Sequence, residues 1–197
     1  IETAFITTAA NHLGEQIPVD EAEEYIFGMV LFNDWSARDI QKWEYAPLGP
    51  FLGKNFASTI SPWIVTMDAL EPFRCESTKQ KVAPLPYLQQ KRTDSSFDIK
   101  LQSFVETDKG DLNLLSETNF KHLYWTMSQQ LAHHTVNGCN VRAGDLMGSG
   151  TISGSDKSSY GSMLELTWAG KEPVTLKDGT KRVFFENGDT VILRGYC

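Results

Sequence analysis

The stretch Ile26-Phe27-Gly28-Met29-Val30-Leu31-Phe32-Asn33-Asp34-Trp35-Ser36-Ala37-Arg38-Asp39-Ile40-Gln41-Lys42-Trp43-Glu44-Tyr45 changes character halfway along. Ile26 to Phe32 is a short β-rich apolar run, with the length and side chains of a buried strand. The run stops at Asn33-Asp34, and Ser36 is placed to cap a short helix from Ala37 to about Trp43, which Pro47, Gly49 and Pro50 end. A buried strand thus delivers its end directly into a polar helix, and the remaining segments read outward from that junction.

Upstream, Ile1 to Thr8 alternates, with Glu2, Ala4 and Ile6 on one face and Thr3, Phe5 and Thr7 on the other, which is strand periodicity. A Gly/Pro-containing loop then leads to Asp20, the expected N-cap of a short helix with Glu23 as its capping-box partner. Downstream, Ser61 to Met67 reads as a strand, and residues 68 to 95, with Pro72, Pro84 and Pro86, as a long surface excursion without a catalytic role. Phe97 to Glu106 and Asp111 to Leu115 predict a hairpin about Asp108-Lys109-Gly110. Phe120, Leu123, Tyr124, Met127 and Leu131 predict one amphipathic helix, capped by Asn119 and ended by Asn137-Gly138. Asp145 to Met147, Ser162 to Trp168 and Thr190 to Leu193 read as strands, with a further hairpin about Lys177-Asp178-Gly179. The pattern predicts a single β-rich α+β domain over residues 1 to 197, without repeats or linkers.

A chain of 197 residues that is 41% hydrophobic can bury a core, which excludes whole-chain disorder. Its 18 basic and 25 acidic residues leave a net charge of -7, which argues against partners bound chiefly through negative phosphates and favours small molecules or proteins. The longest run of apolar residues and glycine, Tyr25 to Phe32, falls far short of the about 20 residues a membrane helix needs. The start has neither region of a secretory signal. The three cysteines, Cys75, Cys139 and Cys197, are odd in number and widely spaced, so they read as reduced thiols of a cytoplasmic protein. No initiator Met is present and the first residues alternate as a strand already under way, which predicts a C-terminal fragment or a processed chain.

Asp34, Arg38, Gln41 and Tyr45 are spaced by four, three and four, so a helix from Ser36 gathers an acid, a guanidinium, an amide and a phenol on one face. The same spacing describes a solvated face with an internal Asp-Arg pair; emergence from an apolar strand favours function, because a buried carboxylate there needs a cation or donors. Glu2 has the same need. Two carboxylates from neighbouring strand ends suit a hard cation such as Mg²⁺ or Ca²⁺, although two acids are an incomplete set. Gly49 to Asn55 fails the phosphate-loop pattern, since three residues separate the glycines and Asn55 follows Lys54. Lys54 on a Pro/Gly loop is instead a candidate for stabilising an oxyanion. Gly148-Ser149-Gly150-Thr151-Ile152-Ser153-Gly154 could let a ligand approach the backbone or could be a plain turn. His122, His133 and His134 lack the zinc-protease arrangement and read as structural, while Glu165, between Leu164 and Leu166, is either an edge residue or a functional acid.

Residues 33 to 45 together with Pro47-Leu48-Gly49-Pro50-Phe51-Leu52-Gly53-Lys54 resemble the fumarylacetoacetase family. Asn119 to Asn140, Gly144-Asp145-Leu146, Gly150 to Ser155 and Gly161 to Leu166 extend the resemblance over essentially the whole chain. It implies a mixed β-sandwich roll, a homodimer, and metal-dependent hydrolysis of the C–C bond of 4-fumarylacetoacetate to fumarate and acetoacetate, the last step of tyrosine and phenylalanine catabolism. By matching motif, Glu2 and Asp34 look like ligands of Mg²⁺ or Ca²⁺, with Lys54 beside them and Ser58 where the family has Thr. Arg38, Gln41 and Lys54 look like the donors that stabilise developing negative charge; Gln41, Tyr45, Gly150 and Thr151 look like substrate contacts; Glu165 looks like the carboxylate that orients a general-base histidine. That histidine and further acidic ligands lie, in the family, upstream of Ile1, and none of the four histidines here matches it, so the isolated chain is expected to be inactive. The alternatives are another activity of the superfamily, such as acylpyruvate hydrolysis, and a non-catalytic fragment or interaction module.

Overall fold

Strand β1 (Glu2–Thr7) lies antiparallel against β2 (Ile26–Asp34) in the computed structural model, which describes every residue from Ile1 to Cys197. Glu2 pairs with Phe32, Ala4 with Val30 and Ile6 with Gly28. Opposed residues share a face and alternate residues repeat it, so Glu2, Ala4, Val30 and Phe32 lie together with Asp34 two positions further on. Ala4, Val30 and Phe32 form a small cluster with Ile6 on that face, whereas Phe5 and Met29, on the other, belong to the main core. The alternation of the first residues therefore decides where charge and core separate.

Beyond β2 the chain forms two short helices, α1 (Arg38–Glu44) and α2 (Leu52–Asn55), then β3 (Ser58–Ile60), β4 (Val65–Thr66) and α3 (Met67–Leu70). β5 (Arg74–Cys75) pairs with β6 (Ser96–Phe97), and β7 (Lys100–Glu106) forms the expected hairpin with β8 (Leu112–Asn119). There follow α4 (Met127–Thr135), β9 (Leu146–Gly148), α5 (Met163–Leu166), the hairpin of β10 (Val174–Thr175) and β11 (Lys181–Arg182), and β12 (Thr190–Tyr196). The larger sheet runs β3-β2-β1-β9 with β4 also on β2, and the second runs β12-β7-β8; every strand pair is antiparallel. The main core joins Phe5 and Met29 to Phe97, Ile99 and Leu101 and to Met127 and Leu131 of α4. β12 crosses close to β2 at Gly195, where a Cβ would sit 2.9 Å from a methyl of Leu31 and 3.3 Å from one of Leu101. No helix is long and apolar enough to cross a membrane.

The architecture is β-rich α+β, as the periodicity predicts, and five local expectations are corrected. Ser61 to Met67 is strand only at Val65–Thr66, since Met67 already opens α3. The helix expected from Asn119 begins only at Met127: Asn119 caps a single 3-10 turn, Phe120–His122, and Thr126 with Gln129 forms the capping box of α4. Ser162 to Trp168 is not a strand, because the Ser162 hydroxyl accepts from the Glu165 amide and nucleates α5. Asp20 caps no helix; its carboxylate accepts from the Lys91 amide, and Ala22–Tyr25 is a 3-10 turn. Ser36 does not cap α1 either, since its hydroxyl donates to the Asp34 carbonyl. The excursion at 68 to 95 is largely irregular but buries Leu70 and Leu88.

Candidate active site

A cavity of about 550 Å³ opens where β1 begins and β2 ends. Its polar wall carries Glu2, Asp34, Arg38, Lys54 and Thr151, and its apolar wall Met163, Leu164, Phe184, Phe185 and, from the second sheet, Val191 and Leu193. Ser103 and Leu115 close it from the hairpin of β7 and β8. Trp35 stands at the rim, fixed by its indole N–H on Thr59 Oγ1 (3.0 Å) and an edge-to-face contact with Phe185 (centroids 6.3 Å apart).

Asp34 is delivered by the end of β2, and Lys54 Nζ donates to its Oδ2 at 2.6 Å, both groups half-buried. Glu2 faces them from β1. Burial first, and the neighbouring Asp34 carboxylate second, push the Glu2 carboxyl above the usual range, offset by the chain's first amino group, by Lys54 and by the Gly150 backbone N–H. Beyond the Lys54 ammonium bound to Asp34, the Glu2 and Asp34 carboxyl groups both present oxygen atoms to the cavity. Glu2 and Asp34 therefore fit a divalent cation of the oxygen-preferring kind, which a protein can hold through one or two carboxylates together with its substrate. No group of three or more His, Cys, Asp and Glu gathers into a complete cage. Ser58 lies directly across from Asp34 on β3 and is exposed, so its hydroxyl is on the same side of the sheet without lining the cavity.

Lys54 reaches Asp34 because residues 45 to 53 fold back on α1. Glu44, the last residue of α1, accepts three backbone N–H bonds, from Phe51 (2.7 Å), Leu52 (2.9 Å) and Gly53 (2.7 Å). These bonds hold its carboxyl below the usual range, the Gly53 bond most of all. The Ala37 N–H donates to the Gly53 carbonyl at 2.9 Å, closing the base of the loop. Gly53 has to be glycine: a Cβ there would lie 2.8 Å from the Gln41 nitrogen and 3.0 Å from its Cα.

Arg38 Nη1 donates to Gln41 Oε1 at 2.6 Å, so the amide steadies the guanidinium at the cavity wall. Gln41, Tyr45 and Gly150 stand outside the wall; Gly150 adjoins the lining Thr151, and the exposed Tyr45 is the C-cap that follows α1. Glu165 sits behind the lining Ser162. Its carboxylate accepts from Ser162 Oγ (2.7 Å) and Ser153 Oγ (2.8 and 3.0 Å), and Ser153 Oγ accepts the Gly161 N–H (3.0 Å). None of the four histidines lines the cavity; His133 bonds Tyr87 (2.8 Å) and His134 touches Cys139. Glu44 and Ser153 carry no local sequence pattern that marks them as site residues, whereas the Ser162-x-x-Glu165 spacing is a usable signal for Ser162.

Residues 4–195 match the family described as fumarylacetoacetate hydrolase C-terminal. The chain is 54% identical over 198 aligned positions to fumarylacetoacetase of Arabidopsis thaliana and, to the same degree, to that of Homo sapiens, in each case over 100% of this chain and 47% of the relative. It thus spans about half the length of the curated relatives it matches. Among solved structures it resembles 5-carboxymethyl-2-hydroxymuconate delta-isomerase from Mycobacterium smegmatis, with a TM-score of 0.53, 18% identity, and coverage of 98% of this chain and 52% of the other. Cg1458 gives the same TM-score at 16% identity, over 79% of this chain and 49% of that one. These two likenesses concern the fold.

Proposed function

The chain belongs to the fumarylacetoacetate hydrolase C-terminal family, and from that premise we propose that it carries the charge-stabilising part of a catalytic centre that hydrolyses 4-fumarylacetoacetate to fumarate and acetoacetate. The observation that carries this reading is Lys54 held at 2.6 Å from Asp34, with Glu2 facing the pair at the mouth of the cavity.

In such a reaction a water oxygen bonds to the carbonyl carbon beside the fumaryl group. The adjoining C–C bond breaks, and its electron pair stays on the acetoacetate carbon, which then takes a proton. Lys54 and Arg38 set ammonium and guanidinium donors where oxygen charge develops, and their fixed geometry spares reorganisation during the step. Gln41 holds Arg38 and offers its own amide; Tyr45, Gly150 and Thr151 are assigned to substrate contact. Glu2 and Asp34 would hold Mg²⁺ or Ca²⁺, with Ser58 at the margin; Lys54, whose ammonium has no lone pair, orients Asp34 there. When bound, the cation supplies Lewis-acid polarisation of the diketone oxygens. Glu165, braced by Ser153 and Ser162, is assigned to orient an imidazole that deprotonates water. With no histidine of this chain on the cavity wall, that imidazole is assigned to a group outside these 197 residues.

The same reading takes residues 1 to 197 as one portion of a mixed β-sandwich roll in a cytoplasmic enzyme of tyrosine catabolism. It also includes a homodimer, as the resemblance of residues 33 to 54 implies. The test is decay of 4-fumarylacetoacetate absorbance. In the full protein, Lys54→Met and Arg38→Met should each lower kcat roughly 100-fold or more, and chelation should suppress turnover. The 197 residues alone should show no enzyme-like rate. Preferential turnover of an acylpyruvate, or activity untouched by both substitutions, would overturn this reading.

A further inference from the structure

We propose that Glu44 is the positioning residue for Lys54, acting through the backbone of residues 51 to 53; this rests on the reading of Lys54 as the charge-stabilising lysine. Glu44 occupies the last turn of α1, where the negative end of the helix disfavours a carboxylate. What offsets that position is the fan of three N–H donors from Phe51, Leu52 and Gly53, which open the next helical turn and have no partner within it. Charge-assisted bonds of this kind are shorter and stronger than neutral ones. Lys54 is the next residue in the chain, and its ammonium is placed on Asp34 by wherever residues 51 to 53 are held.

Within these 197 residues Glu44 is the only side chain that bonds residues 51 to 53. Ala37 closes it through one bond to the Gly53 carbonyl, and Phe51 and Leu52 are exposed at 68% and 59%, so burial does not fix them. The packing of Gly53 on the Gln41 backbone sets how near the loop comes, while Glu44 sets its direction. Loss of the carboxylate therefore frees Lys54 from Asp34 without emptying any part of the core.

The experiment compares the full protein with Glu44→Gln, Glu44→Asp and Asp34→Asn by amide exchange and by acetylation of Lys54 with acetic anhydride, both read by mass spectrometry. In Glu44→Gln, exchange over residues 51 to 54 should rise roughly tenfold or more, since bonds to a charged acceptor of this type are worth at least that factor. Lys54 should acetylate as fast as in Asp34→Asn, exchange in β7 should stay unchanged, and Glu44→Asp should lie between. Turnover should fall in kcat with KM nearly constant. Unchanged exchange and acetylation in Glu44→Gln would overturn the proposal, as would faster exchange spread through β7, which would make Glu44 a general support of the fold. A loosened loop with faster Lys54 labelling and an unaltered kcat would uphold the positioning role and overturn the assignment of Lys54 to charge stabilisation.

Discussion

The loop from Ala37 to Lys54 and the sheet of β12, β7 and β8 are held together by different physics. No residue of α1 is buried, and Trp43 and Leu48 are 92% and 95% exposed; the loop keeps its shape through Arg38 on Gln41, Glu44 on three amides and Lys54 on Asp34. In the sheet, Leu101 and Val105 are 0% and 1% exposed, and Arg194 lies over the Phe104 ring. Burial is non-directional and supplies most of the stability, whereas hydrogen bonds aim particular atoms and contribute little net free energy. A reactive rim built from aimed contacts can therefore be altered without unfolding the body that carries it.

The largest effect belongs to the sheet. Leu101→Ala should cost about 2–5 kcal/mol in urea unfolding by leaving a cavity between β7, β2 and β12. If it altered turnover more than stability, the division between the two regions would be wrong. Gly53→Ala should cost less, about 1–3 kcal/mol, because the new methyl must push the Gln41 backbone away. Its signature should be catalytic, with kcat falling on the order of 100-fold as Lys54 is displaced.

Glu2→Gln sharpens the contrast through pH. The folded chain raises the Glu2 carboxyl through burial and then Asp34, so the folded state holds that proton more tightly than the unfolded one. Stability at this site is fully present below the ordinary carboxyl range and is lost as pH rises through the raised value. With a chelator present, Glu2→Gln should melt higher than the parent at pH 7, and the gap should close toward pH 4. Asp178 runs the other way: bonds from Thr180 and Lys109 lower it to about 2, so its contribution is present above the ordinary aspartate range and fades as pH falls through about 2. The smallest effect is expected at Lys157→Ala, which removes an exposed pair with Glu172 and should change unfolding free energy by less than about 1 kcal/mol.

The first strand and the two hairpins were legible because their signals are local. Alternation from Glu2 to Thr7 and the turns at Asp108-Lys109-Gly110 and Lys177-Asp178-Gly179 depend on residues next to one another. Even the meeting of Glu2 and Asp34 follows from period two once β1 and β2 pair. Two of the helix errors share one cause. Thr126-x-x-Gln129 and Ser162-x-x-Glu165 carry start signals at the true helix beginnings, but an apolar run outweighed each of them. Glu44 was illegible for another reason: its partners lie seven to nine residues ahead, beyond a bend whose path nothing in the local pattern specifies. The bracing of Glu165 by Ser153 likewise depends on a contact across twelve positions.

The bond from Ala37 N–H to the Gly53 carbonyl also bears on how the chain meets proteases. Entry to and exit from the loop are stapled at one point, and the outermost turn, Pro47 to Pro50, lies beyond both that staple and the Glu44 fan. Scission within that turn would leave each new end moored on its own side, so a nicked chain would migrate as two pieces under denaturing conditions yet behave as one body in native buffer. The tip is for the same reason the place where extra residues, a reporter or a purification sequence could be spliced in with little added closure entropy.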